Sequence, residues 1–96
     1  MLQYVIIAQD GNDEEALARR KAVRSIHLQG ARKLKENNNF ILGGAMLNKE
    51  GNMIGSVMIV QFETEEELNG WMKHEPYITG GVWKTIELKP FRVAEV

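Results

Sequence analysis

The sequence predicts an α+β fold in which two helices cover one face of a four-stranded antiparallel sheet. Three observations carry that prediction. Residues 40–62, FILGGAMLNKEGNMIGSVMIVQF, are two apolar runs joined by a polar turn rich in Asn and Gly, which is a β-hairpin signal. Short β-branched and aromatic runs stand near each end of the chain, at residues 2–8 and 82–88. Between these runs and the hairpin lie two stretches of helical period, each opened by a capping pattern. The resulting order, β-α-β-β-α-β, is the split βαβ or ferredoxin-like arrangement.

Taken in order, the first strand, residues 2–8, is stopped by Gln9, Asp10 and Gly11. Asn12 then reads as an N-cap with Glu15 at the third helical position, the N-x-x-E form of a capping box. Glu14 and Glu15 suit the positive end of the helix dipole. The first helix is predicted over residues 13–36 and is ended by Asn37, Asn38 and Asn39. Its inward stripe is Ala16, Val23, Ile26, His27, Gly30 and Leu34. The hairpin strands, Phe40–Leu47 and Met53–Phe62, follow. Thr64 and Glu67 form a T-x-x-E capping box for the second helix, which turns Leu68, Trp71 and Met72 inward. That helix must end near Lys73 and His74, because Glu75 precedes Pro76 and a residue before proline is pushed out of the helical region. Residues 76–81 read as a turn with paired glycines. Residues 82–88 form the last strand, and Pro90 and Phe91 continue along a sheet edge, where a missing N–H does little harm.

Parity along the second hairpin strand bears on assembly. Ile54, Met58, Val60 and Phe62 point one way, while Met53, Val57 and Ile59 point the other, so both faces are apolar. A sheet with one face in water should alternate apolar and polar residues. The helices cover one face, and the other is expected to meet a second copy, giving a sheet-to-sheet homodimer. The chain has 96 residues, which predicts one domain over 1–96 that buries roughly two-thirds of its unfolded surface. A net charge of -1 argues against nucleic acid or an anionic membrane as partner. The absence of cysteine excludes disulfides, thiol catalysis and thiolate metal sites. There is no basic leader and no apolar run of the ~18 residues a span requires, so a cytoplasmic protein is expected.

Two residues stand out for chemistry. His27 lies on the inward stripe, and Arg20, Arg24 and His27 follow one edge of it at i, i+4 and i+7. Cations beside a core edge call for a carboxylate or an anionic ligand, unless their stems rest on the core with their heads in water. Glu75 falls at the end of the second helix, where the dipole disfavours a negative charge, so it needs solvent or a cationic partner. Both helices cover the same sheet face, and a Glu75–His27 pair is therefore possible. A carboxylate on one ring nitrogen fixes the tautomer and leaves the other nitrogen as a better base. Ser56, in a small polar break at Gly55-Ser56, offers a hydroxyl from the strand beneath. Otherwise, Gly55 marks a bulge or close contact. Trp71, Tyr77 and Trp83 read as core or interface aromatics, with a rim aromatic able to stack on a ring-shaped ligand. No metal site is expected from two histidines lacking ligand spacing. Gly43-Gly44 and Gly80-Gly81 lack the strand-to-helix context of a phosphate loop.

Four spaced motifs run in order through nearly the whole chain: YVIIAQDG, RRKAVRSIHL, IGSVMIVQF and WMKHEPYITGGVW followed by KPF. Through them the chain resembles the YCII-related (YciI-like) domain family. The resemblance implies a ferredoxin-like domain that dimerises sheet to sheet, similar to the dimeric α/β barrels that include muconolactone isomerase. It implies an active site built on a histidine, which falls on His27 in R-x-x-H-L, and an acidic residue. The latter is commonly Asp in a D-P-Y motif and falls here on Glu75 in E-P-Y, an arm longer by roughly 1.5 Å of bond length. Gly55-Ser56 also fits the family pattern.

The residues and the resemblance together predict a cofactor-independent enzyme of isomerase or lyase type acting on a small organic molecule. His27 is its general acid/base and Glu75 orients it. Arg20 or Arg24 holds an anionic group, with Ser56 and Tyr77 also contacting the substrate. The alternative is a small-molecule-binding dimeric module without catalysis. A third reading is a structural dimer in which His27 is packing.

Overall fold

The structure, a computed structural model, describes residues 1–96. The elements are β1 (Leu2–Asp10), α1 (Ala16–Glu36), β2 (Phe40–Leu47), β3 (Met53–Phe62), α2 (Glu65–Met72), α3 (Pro76–Thr79) and β4 (Trp83–Phe91). The strands form one antiparallel sheet in the order β2-β3-β1-β4, the ferredoxin-like α+β arrangement. No helix is long and apolar enough to cross a membrane.

Alternation sets the two sheet faces. Tyr4, Ile6 and Ala8 of β1 and Met58, Val60 and Phe62 of β3 form one buried cluster with Leu34, Leu68, Tyr77, Val82 and Trp83. The opposite face carries Val5, Ile7, Val57 and Ile59, all half-buried, with Leu42 52% exposed beside them. Ile54, placed by parity with Met58, Val60 and Phe62, is 40% exposed at the start of the strand. Register brings three strand ends together: Ala8 stands opposite Ser56, and Asp10 opposite Trp83 after an irregularity between Gln9 and Asp10.

α1 differs from expectation at its start. It begins at Ala16, and no side chain caps it, so the Asn12–Glu15 capping box does not form. Asp13 instead directs both carboxylate oxygens to Arg19, at 2.8 and 3.1 Å. That pair closes over Gly11, where a Cβ would stand 2.6 Å from Asp13 Oδ1. The buried stripe of α1 is Ala16, Arg20, His27 and Leu34, with Val23 packed against the core. Arg20 joins it, and Ile26 is 54% exposed because one residue along a helix turns the side chain about 100° away.

The Arg19 guanidinium holds the Asp13 carboxyl at about 2, below its ordinary 3.8. A depressed acid stabilises the fold above its unfolded value and stops doing so as pH falls toward the folded one. Asp13→Asn is therefore expected to flatten the stability profile slightly between pH 4 and 2. Thermal melts at low salt check this, and added salt should erase the difference because the pair is exposed.

α2 opens as expected, with Thr64 Oγ1 accepting the Glu67 N–H at 3.1 Å. The next segment does not follow the reading of residues 76–81 as a plain turn. Pro76 forces Glu75 into extended backbone, ends α2 and starts the short α3, with Pro76 in its first turn. Glu75 thus caps the start of α3 and does not sit in the unfavourable dipole of α2.

Candidate functional site

Glu75 is 2% exposed, and the cap explains half of its environment. Its Oε1 accepts the Tyr77 backbone N–H at 3.1 Å and also meets His27 Nδ1. A carboxylate oxygen accepts only, so Nδ1 carries a proton toward Glu75 and Nε2 is the nitrogen left for other chemistry. The imidazole is held on its faces and edges as well. It stacks on the Tyr77 ring with centroids 3.9 Å apart and planes 13° from parallel, and it meets Trp83 edge-on at 6.3 Å. Position along α1, the cap of α3 and the start of β4 therefore fix one ring orientation.

A second polar cluster lies two helical turns back along α1. Arg20 is 3% exposed, and its Nη1 stands 3.0 Å from both oxygens of Asp10. Its Nη2 donates to Ser56 Oγ at 2.8 Å, and Trp83 Nε1 donates to the same oxygen at 3.2 Å. The guanidinium carbon also lies 4.6 Å from the Tyr77 ring centroid, a cation–π contact. The Asp10 side chain is only 2% exposed, so this is an ion pair removed from water, with charge balance supplied inside the fold. Burial pushes the Tyr77 phenol above its ordinary value, against the opposing pull of Arg20 and Arg24. The phenol is therefore a neutral hydrogen-bonding group at physiological pH.

Between α1 and the β2–β3 edge is a cavity of about 100 Å³. His27, Ser56, Met58 and Tyr77 line it, and Arg24 stands beside it, exposed and without a carboxylate partner. Gly43 helps keep it open. A Cβ there would stand 3.0 Å from the Phe40 ring and 3.3 Å from Met58. No three His, Asp or Glu side chains gather where they could hold a metal.

The structure thus brings His27, Glu75, Ser56, Arg20 and Tyr77 together, with Arg24 at the cavity mouth. Asp10 and Trp83 were not anticipated as site residues. Asp10 reads from sequence as the stop of a strand, and Trp83 as a core or interface aromatic. The available signal was Arg20 itself, since a cation on a buried stripe requires a nearby carboxylate.

A family model described as the YCII-related domain matches residues 2–92. The protein YciI of Escherichia coli O6:H1 is 33% identical over 95 residues, covering 93% of this chain and 95% of its own length. Among solved structures, the fold is similar to 5-chloro-2-hydroxyhydroquinone dehydrochlorinase of Burkholderia phenoliruptrix in complex with 2,5-dihydroxybenzoquinone. That match has a TM-score of 0.80 at 20% identity, covering 96% of this chain and 95% of the other. A dimeric ferredoxin-like protein of unknown function from Jannaschia matches with a TM-score of 0.59 at 15% identity, covering 97% and 100% of the two chains. At these identities the two structures speak to fold alone.

Proposed function

Because the chain belongs to the YCII-related domain family, and because its His27 is bound by a buried carboxylate beside a small cavity, we propose a cofactor-independent acid–base catalyst. Its substrate is a small organic molecule, and its reaction is of isomerase or lyase type. The contact of His27 Nδ1 with Glu75 carries this reading. It directs Nε2 to take a proton from one position and return it to another or to a leaving group. The fold neighbour that is a dehydrochlorinase supports the class, because an elimination needs that proton movement and no redox partner. Arg24, the unpaired cation at the cavity mouth, is the residue for an anionic group, while Arg20 is engaged by Asp10.

The test is a screen of hydroxylated ring compounds and short carboxylic acids without added cofactor, read by mass spectrometry. Conversion of one of them is expected. His27→Ala should lower its turnover by roughly 10²–10⁴-fold with the fold intact, the usual worth of one positioned acid–base group. Unchanged turnover in that variant would sink the reading. A compound that raises the melting temperature yet is recovered unaltered would favour a non-catalytic binding module. Arg24 at the mouth suits that second reading equally well.

We further propose that the single domain pairs with a second copy through the outer sheet face. Val5, Ile7, Val57 and Ile59 are incompletely covered there and Leu42 is exposed, an apolar surface without a helix over it. The dimeric ferredoxin-like neighbour supports this assembly. Val57→Glu places a charge in the middle of that face. Light scattering should show a dimer for the parent chain and a folded monomer for the variant, and identical masses would refute the interface.

A further inference from the structure

We propose that the Ser56 hydroxyl is the site's oxyanion donor and that the ligand is an enolisable carbonyl compound, its carbonyl oxygen on Ser56 and its acidic C–H toward His27. This rests on the acid–base reading and adds the substrate class to it. Ser56 Oγ receives hydrogen bonds from Arg20 Nη2 at 2.8 Å and from Trp83 Nε1 at 3.2 Å. Guanidinium and indole N–H groups only donate, so both lone pairs of the oxygen are occupied. What is left is the O–H proton, and no protein acceptor takes it.

The side chain is 2% exposed, yet it lines the same cavity as His27. A buried donor without an acceptor calls for a partner, and the cavity is where that partner enters. Its bond to a buried cation makes the hydroxyl a stronger donor, and Asp10 holds that cation in place, so little reorganisation accompanies reaction. Such a hydroxyl is matched to an oxygen that gains negative charge. In this step Arg20 acts through Ser56 and is a positioning residue.

The step these groups support is balanced without a co-reactant. Nε2 of His27 takes the proton from the carbon beside the carbonyl. The C–H electron pair becomes the enolate C=C bond, and the carbonyl π pair moves onto the oxygen held by Ser56. Return of a proton from Nε2 to the same carbon or a conjugated one restores a ketone. An apolar cavity of roughly 150 Å³ accepts benzene, so the space here, about 100 Å³ and open on one side, suits one ring or a short acid.

The experiment follows hydrogen–deuterium exchange by NMR. Cyclohexanone, cyclohex-2-enone and 2-oxobutanoate are each incubated with the protein in deuterated buffer, and the signal beside the carbonyl is timed. The wild type should speed its loss for at least one of the three. Ser56→Ala should slow that exchange by about 10²–10³-fold, the usual loss of one oxyanion donor, and His27→Ala should abolish it. If Ser56→Ala fails to fold, Ser56→Cys keeps the shape with a weak donor and should also be slow. A wild-type rate in either Ser56 variant, with His27→Ala inert, overturns the Ser56 proposal and leaves the acid–base reading standing. No exchange of any of the three by the wild type overturns the substrate class, whereas the histidine–carboxylate arrangement is decided separately by its tautomer.

Discussion

Replacing Arg20 with alanine should destabilise the protein by about 3–5 kcal/mol, seen as a lower denaturant midpoint at unchanged slope. The size follows from what the substitution leaves behind. Asp10, with a side chain 2% exposed, would remain in the interior with no cation, and Ser56 would lose one of its two donors. A small domain has only about 5–15 kcal/mol in total, so the loss is a large share of the whole. The partner control is a double substitution, Asp10→Leu with Arg20→Met, which removes both charges and keeps apolar volume. It should cost far less than Arg20→Ala alone, because exchanging a buried ion pair for apolar side chains is often neutral. A loss in Arg20→Ala within about 1 kcal/mol, the range of an exposed pair, would mean that water reaches Asp10 in solution.

Glu75→Gln should keep the protein folded and lower turnover by about 10²–10⁴-fold. The amide oxygen of glutamine can still accept the Tyr77 N–H, so the start of α3 survives. What changes is the pairing with His27. The same Oε1 makes both contacts, so an amide oxygen there keeps the Nδ1 proton in place. A neutral oxygen, however, no longer stabilises the imidazolium that forms as Nε2 takes a proton. Loss of the carboxylate charge in a Ser-His-Asp triad, about 10⁴-fold, sets the upper end of that range. Here the imidazole is also held by Tyr77 and Trp83, so ring position should be retained and the effect should fall on the rate, not on binding.

Most of the architecture was readable from local chemistry. The hairpin announced itself through two apolar runs and an Asn/Gly turn, and α2 through Thr64, whose hydroxyl takes the predicted Glu67 N–H. Where reading along the chain fell short, a contact between distant residues or a very short element was responsible. The Asp13–Arg19 pair, found where the Asn12–Glu15 capping box was expected, could not be seen, since it depends on how the chain turns at Gly11. α3 spans only Pro76–Thr79, too short for any periodicity, so Glu75 read as an awkward helix end when it is a cap. Ile26 looked like stripe because it is apolar, and Arg20 looked like rim because it is charged. The burial of Arg20 depends on Asp10, Ser56 and Trp83, which three separate strands deliver to one point. His27 and Glu75, by contrast, were both noticed from sequence, one for its place on the stripe and the other for a negative charge at the end of a helix.

The most direct test of the account is the tautomer of His27. Long-range ¹H–¹⁵N correlation spectra would be recorded on the wild type and Glu75→Gln above pH ~8, where an ordinary imidazole is neutral. The account predicts a wild-type His27 with its proton on Nδ1, slow to exchange, and a bare Nε2, with that preference weakened in the variant by its neutral acceptor. A wild-type ring carrying its proton on Nε2, or two proteins with the same spectrum at His27, would contradict it.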